Sequence, residues 1–413
     1  MTRRGRTMRP PLAPLLAVFL TGAVLTAPLS FSGAATAMQP GPQLPEHFQE
    51  TSFARLPGWQ QDDHSAALAS FLRFCDPSVT LPEGPHFLRL QPDELTRLCS
   101  DARTANDGSD AAARQFFESR FTPFRNAEQG FVTGYYEPEV AASRHRTETF
   151  SVPLHKKPAG LEPVTEEIRP ENWPAHLSHG RRRGKTVSEL PDRGAIMDGA
   201  LDDERLELVW LADPVDAYFI HVQGSARLRM TDGSVMRVGY AGKTGHPYTG
   251  IGRLLVTRGE GTPEDFTMAG LRGWLAKHPD RRDDLLRENR SYIFFREVTE
   301  TGPDQGPVGA AGLPLVAGRS LAIDPEHFPY GALVFVASGF EDPDETDKEF
   351  ARLLVADDTG SAIRGRARGD IFTGSGDTAG QSAGAIRHKA KFTLLVPNSR
   401  LTSRLTGSTA ATD

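Results

Sequence analysis

Residues 357–370 read DDTGSAIRGRARGD, and the fold turns on whether they make a plain hairpin or bring two aspartates to one place. Asp, Thr, Gly and Ser suit turns, Asp through its side-chain bond back to the chain and Gly through positive φ. A hairpin alone demands no chemistry. The flanks ask for more: RLLVADD (352–358) is an apolar strand running directly into Asp358, and Asp370 opens the next apolar pair, Ile371-Phe372. Two carboxylates at strand ends can face one cleft.

Around this stretch the chain after about residue 300 is built of short apolar runs and Gly-rich turns: SLAID (320–324), ALVFVA (332–337), RLLVADD and FTLLVP (392–397). That spacing predicts a small closed β-barrel. Upstream, DHSAALASFLRFC (63–75) sets Leu68, Phe71, Leu72 and Cys75 on one helical face, and a second helix is expected over 109–121 with Phe116, Phe117 and Phe121 inward. FVTGYYEPEV (131–140) alternates and ends on proline, as a strand does. Residues 141–205 are poor in apolar side chains and include HLSHGRRRGK (176–185), which suggests surface loops on a smaller domain. Beyond 207, YFIHVQG (218–224) and ARLRM (226–230) read as strands, and a helix over 264–277 carries Phe266, Leu271, Trp274 and Leu275. RSYIFFRE (290–297) follows, and there is no internal repeat.

The 413 residues allow two or three domains, and a 38% hydrophobic content is enough for real cores. Arg3, Arg4, Arg6 and Arg9 precede the apolar run PLLAVFLTGAVLTAPLSF (14–31) and the small residues Ala35-Thr36-Ala37. This has the form of a cleaved secretory signal over 1–37, followed by a soluble, exported, periplasmic protein. No cysteine near the run is available for lipid attachment. Cys75 and Cys99 are the only two cysteines; in an oxidising compartment they either form one disulfide or stay as buried thiols. Without the leader's arginines, 43 basic residues face 53 acidic ones and the formal charge falls from −6 to −10, which argues against nucleic acid as a partner. The tail 401–413 is small and polar, as a disordered end would be.

Some apparent motifs lack the context their chemistry needs. Gly380-Gln381-Ser382-Ala383-Gly384 matches G-x-S-x-G, but FTGSGDTAG before it reads as a loop rather than the strand a nucleophile elbow requires. Arg368-Gly369-Asp370 spells an adhesion triplet at a strand edge. His176 and His179 have no third ligand and no H-E-x-x-H helix. With no phosphate loop or dinucleotide fingerprint, chemistry without cofactor or metal is the expectation.

VADDTGSAIRGRARGDIFTGSGDTAG (355–380) resembles the C-terminal motif of the MltA-type lytic transglycosylases, enzymes that cut bacterial peptidoglycan. FVTGYYEP (131–138), FIHVQGSARLRMTDGS (219–234), VGYAGKTGHPYTGIGRLL (238–255), YIFFRE (292–297) and GLPLVAGRSLAIDPEHFPYG (312–331) resemble further blocks of that family in the same order. The resemblance implies a mainly β protein: a double-psi β-barrel from 41–136 plus 299–400, an inserted β-rich domain over 137–298, and a substrate groove between them. It also implies a three-aspartate domain whose acids match Asp324, Asp358 and Asp370, with Asp370 as the catalytic acid and Asp358 beside it as the group that orients or tunes it. The family's Gly-Gly is Gly360-Ser361 here.

Protonating a glycosidic oxygen requires a carboxylic acid that stays protonated near neutral pH, which burial and a neighbouring carboxylate favour. In the implied reaction Asp370 then takes the proton from the muramyl C6 hydroxyl as it closes on C1. Tyr135, Tyr136, Gln223, Gly224, Tyr240 and Lys243 lie in family-like blocks and, with Asp324 and Gly360, are the expected substrate contacts, although Tyr and Gln on strands equally serve packing. The expected partner is the glycan strand of peptidoglycan, with cell-wall synthesis complexes a further one and a monomer the default. Two readings compete: an inverting hydrolase on the same barrel, and a non-catalytic peptidoglycan-binding protein.

Overall fold

A computed structural model describes residues 44–80, 85, 92–302 and 305–402. The expected leader and all but the first two residues of the expected disordered tail therefore lie outside the described residues.

The chain builds β structure in three blocks. The first holds strands β1 (Phe48–Glu50), β2 (Phe121–Asn126) and β3 (Gly130–Glu137) and helices α1 (His64–Leu72), α2 (Pro92–Ala105) and α3 (Asp110–Arg120). Asp63 caps α1 by accepting from Ala66 N, and Ser109 caps α3 by accepting from Ala112 N, so both helices start where a polar side chain satisfies a free backbone donor. Cys75 and Cys99 form a disulfide with Cα atoms 5.5 Å apart, tying the turn after α1 to α2. Closing a loop of this length stabilises by roughly 3 kcal/mol.

The second block holds β4 (Glu139–Ser143), β5 (Val152–His155), β6 (Leu161–Pro163), β7 (His179–Arg183), β8 (Thr186–Ser188), β9 (Glu207–Leu211), β10 (Ser225–Met230), β11 (Val235–Lys243) and β12 (Ile293–Val298), with helices α4 (Arg193–Met197), α5 (Pro214–Gln223), α6 (Ile251–Thr257), α7 (Met268–Lys277) and α8 (Pro279–Arg287). Six of these strands form a sheet in the order β12-β11-β10-β4-β9-β5, and β6-β7-β8 form a small second one. Two expectations are corrected here. The stretch 141–205 is not a set of loops, since it carries five strands and α4. YFIHVQG is not a strand: it lies within α5 up to its C-cap, because Asp213 caps the N-terminus, Pro214 fits the first turn and Gly224 adopts φ 82° at the end. Those caps outweigh the strand preference of Tyr, Phe, Ile and Val. The helix expected from 264 begins at Met268, after the capping Thr267.

The third block holds β13 (Ser320–Ala322), β14 (Leu333–Asp342), β15 (Glu345–Asp358), β16 (Arg368–Ser375) and β17 (Arg387–Pro397), with α9 (Gly376–Ala385) and α10 (Ser399–Thr402). FTGSGDTAG, read above as a loop, is the end of β16 running into α9. Six strands close a barrel in the order β17-β14-β15-β13-β16-β3 and back to β17, and β2 and β1 extend the sheet from β17. The N-terminal block thus supplies one wall of the C-terminal barrel.

Strand alternation builds two cores. Val334, Val336, Leu354, Ala356, Ile371 and Leu394 fill the barrel. Leu333, Phe335, Leu353, Val355 and Leu395 point outward against Trp59, Phe71, Phe116 and Phe117 of the helical layer. Each large side chain buried this way contributes about 1.5–3 kcal/mol. Among the described residues no helix is long and apolar enough to cross a membrane.

Candidate active site

Asp357 and Asp358 end β15, and a bulge decides between them. Leu321 of β13 pairs with Ala356 but the next residue, Ala322, pairs with Asp358. Asp357 is the extra residue, and such a bulge re-aims the side chain that follows. Ala322 also pairs with Asp370, which pairs with Thr133 of β3. Asp358, Ala322, Asp370 and Thr133 therefore form one row across four strands, with the two aspartate Cα atoms about 10 Å apart, two strand spacings.

Thr133 and Tyr135 share a face of β3, and each serves one carboxylate. Thr133 Oγ1 donates to Asp370 Oδ1 at 2.6 Å, and the Tyr135 hydroxyl donates to Asp358 Oδ2 at 2.7 Å. Arg368 Nη2 donates to Thr133 Oγ1 at 2.7 Å, which commits the threonine proton to Asp370 and leaves Asp370 Oδ2 without a protein partner among the described residues. The other oxygen of Asp358 accepts from Ala310 N at 2.9 Å. Both carboxyls keep some solvent contact but are otherwise enclosed. Burial pushes Asp370 up to about 6, against the pull of Arg368 and Thr133 and with a push from Asp358. Burial also raises Asp358, opposed by its hydrogen bonds.

Asp357 points the other way, fully buried beneath this row. Its Oδ2 accepts from Arg73 Nη2 at 2.8 Å and Ser320 Oγ at 2.6 Å, Oδ1 has no partner among the described residues, and burial pushes its pKa up to about 7. Arg73 also donates to the Pro314 carbonyl, and Ala311 N donates to the Asp357 carbonyl at 3.0 Å. The pair therefore anchors the loop that gives Asp358 its Ala310 donor.

The other expected contacts are spread around this row. Tyr135 is buried against Leu315, Ala322 and Phe372, so its hydroxyl rather than a ring face meets the carboxylate row. Tyr136 packs on α9, where a Cβ at Gly380 would sit 2.8 Å from its ring, and its backbone N–H donates to Gln223 Oε1 at 3.0 Å. Gly224 is the C-cap of α5. Asp324 is buried and ties the segment after β13 to the one between β15 and β16, accepting from Gly365 N at 2.8 Å and Arg364 Nη1 at 3.1 Å, while the Gly360 carbonyl closes a turn by accepting from Ile363 N. Tyr240 is exposed. Lys243 reaches from β11 to the barrel, donating from Nζ to Ser361 Oγ at 3.0 Å, and burial lowers its pKa. Thr133, Arg368 and Asp357 were missed; the alternation of FVTGYYEP could have paired Thr133 with Tyr135. Tyr248, partly exposed and raised by burial, lies in electrostatic reach of both Arg193 and Asp370. His179 Nδ1 lies 3.0 Å from Ser178 Oγ, and burial pushes its pKa down to about 4.

A closed barrel carrying a row of enclosed carboxylates, joined to a second β region, defines a known kind of protein. Residues 131–296 match the family model of the MltA specific insert domain, and residues 319–396 match that of the 3D domain. The crystal structure of a membrane-bound lytic murein transglycosylase from Agrobacterium tumefaciens is 41% identical, with a TM-score of 0.78 over 86% of this chain and 99% of that one. MltA from Neisseria gonorrhoeae is 30% identical, with a TM-score of 0.65 over 87% of this chain and 94% of that one. Membrane-bound lytic murein transglycosylase A of Escherichia coli (strain K12) is 32% identical over 268 residues, 64% of this chain and 64% of that protein's length. The chain belongs to the MltA family of lytic murein transglycosylases.

Proposed function

We propose that the protein cleaves the β-1,4 bond between N-acetylmuramic acid and N-acetylglucosamine in peptidoglycan, leaving 1,6-anhydro-muramyl ends. The barrel block would be the double-psi catalytic domain, 137–298 the inserted domain, and the glycan strand would lie in the groove between them, without metal or cofactor. The names of the relatives support the reaction class, and one observation carries the mechanism: Asp370 is enclosed at the end of the carboxylate row, where burial raises its pKa, with one oxygen fixed by Thr133 and the other without a protein partner among the described residues.

In this reading Asp370 gives its proton to the glycosidic oxygen and the C1–O bond breaks. The muramyl C6 hydroxyl then closes on C1 and returns its proton to Asp370, so no water enters and the acid ends as it began. Orientation of that hydroxyl is the groove's task. In this reading Tyr240 and Lys243 would line the groove on the far side, and Tyr136, Gln223, Gly224, Asp324 and Gly360 would shape it. Asp358, with both oxygens accepting hydrogen bonds, suits a group that tunes Asp370 better than a base that activates water, which disfavours the inverting hydrolase. The disulfide supports an exported, periplasmic setting.

Digestion of purified peptidoglycan by wild type and Asp370→Asn, read by mass spectrometry, tests this. Anhydro-muramyl ends from wild type alone are expected. Reducing ends heavier by one water would mean a hydrolase, and no product from either protein would leave a binding role.

A further inference from the structure

Away from the carboxylate row, where the helical layer stops covering the barrel, lies a depression of about 320 Å³. Cross-strand register defines its base. Gln49 of β1 and Thr393 of β17 both pair with Arg125 of β2, and Phe335 and Ala337 of β14 pair with Thr393 and Lys391 of β17. One face of four adjacent strands therefore presents Arg125 and Lys391 side by side, and the segment 50–57 rims it with Glu50, Arg55, Leu56 and Pro57.

Three exposed cations meet one acid here, on a chain whose formal charge is −6. Elsewhere on the surface arginines find carboxylates, as Arg120 does with Asp101 at 2.8 Å and Arg290 with Asp192 at 2.9 Å. In this depression Arg125 reaches only the neutral Gln49, at 3.1 Å, and the side chains of Arg55 and Lys391 have no hydrogen bond or ion pair among the described residues. Their field is not cancelled locally. The floor between them is apolar, made by Leu56, Pro57 and Phe335. Arg125 and Lys391 are diagonal neighbours, about 7–8 Å apart at the backbone, close enough for two carboxylates of one short peptide to reach both.

We propose that this depression binds a short acidic peptide, two of whose free carboxylates are taken by Arg125 and Lys391 while an uncharged residue covers the apolar floor; an arginine fork suits a carboxylate in particular. Resting on the function proposed above, that peptide is the stem attached to the muramyl residues of peptidoglycan, so the site holds substrate away from the bond being cut.

The test is calorimetric titration of the purified protein with a synthetic alanyl-glutamyl-diaminopimelyl-alanine stem peptide, beside the same peptide with its carboxyls amidated. Wild type is expected to bind the acidic form, and both amidation and the double change Arg125→Ala with Lys391→Ala to weaken binding by about tenfold or more. Arg125→Lys, which keeps the charge, should retain most of it and shows that the fold is intact. Cleavage of stem-free glycan should be unchanged in the double variant, with KM raised several-fold only on stem-bearing strands. Absence of binding by wild type, equal binding by the double variant, or capture of anionic phospholipid vesicles through these residues in place of the peptide would overturn the proposal. Should neither glycan be cleaved, the cleavage reading fails while the titration still decides the peptide site.

Discussion

Two of the polar clusters buried among the described residues are of opposite kind. The barrel gathers Asp357, Asp358 and Asp370, and burial pushes all three upward. The second β region gathers Arg193, His221 and His155, and burial pushes all three downward. Among the described residues Arg193 has no carboxylate partner: it donates to the carbonyls of Asn289 and Ser291 at 2.9 and 2.7 Å and to His221 Nδ1 at 2.9 Å, and lies over the rings of Tyr218 and Tyr292. Because arginine only donates, the His221 proton sits on Nε2, which has no partner. In each cluster low dielectric favours the neutral form of the titrating group. What separates them is access. Asp358 and Asp370 keep contact with solvent, whereas Arg193 and His221 are sealed, so perturbation of a pKa marks a site only where a substrate can reach it.

The sharpest way to break this contrast is to neutralise each cluster in turn. Asp370→Asn keeps shape and removes the proton, so cleavage of peptidoglycan should fall by roughly 10²–10⁴-fold, while the denaturation midpoint hardly moves. For wild type, the rate should decline above about pH 6 as Asp370 loses its proton. Arg193→Ala should do the reverse, leaving two carbonyls and a ring nitrogen without their donor at a cost of about 3 kcal/mol in a urea titration. Catalysis by the folded fraction should persist. Equal loss of rate from both variants would erase the distinction between site and scaffold.

Asp357 gives the next effect, through pH. Its folded pKa is raised, so its protonated form stabilises the fold fully below the unfolded value, and that stability is lost as pH climbs through about 7. Between pH 5.5 and 8.5 wild type should lose about 2 kcal/mol from this group. Asp357→Asn, which cannot ionise, should flatten that slope. The depressed histidines act with the opposite sign: His155, His179 and His221 must take up a proton against burial, so their contribution is present above the ordinary imidazole range and lost as pH falls below it, for His179 through about 4. A denaturation series across pH in both proteins separates the alkaline limb from the acid one.

The sequence made the barrel and helices α1 and α3 legible, though not α2 between them, because their apolar residues keep strand or helix period and because Asp63 and Ser109 mark the starts. It hid α5, buried on nearly every side and therefore without a period; only Asp213-Pro214 and Gly224 betray it. The small Arg-rich sheet was hidden because ion pairs distant in sequence support it, Arg181 with Glu204 and Arg182 with Glu162, both at 2.6 Å. At the site, DDTGSAIRG announces two carboxylates but not which one turns towards Asp370. That depends on a one-residue bulge against Ala322, a property of the neighbouring strand's register rather than of local residue type.

Tyr135 joins what was legible to what was not, and supplies the smallest of these effects. Its hydroxyl is the link between β3 and Asp358, and it favours the charged form of that carboxylate, opposing burial. Tyr135→Phe keeps the ring packed against Phe372, whose centroid lies 5.3 Å away, and removes only the donor. Asp358 should then hold its proton to higher pH and repel a charge on Asp370 less. The expected result is a loss of about tenfold in kcat, as for one hydrogen bond to a charged group, with KM nearly constant and the alkaline limb of the rate profile moved to lower pH. A change in KM alone would instead make Tyr135 a sugar contact, and would count against Asp358 as the group that tunes Asp370.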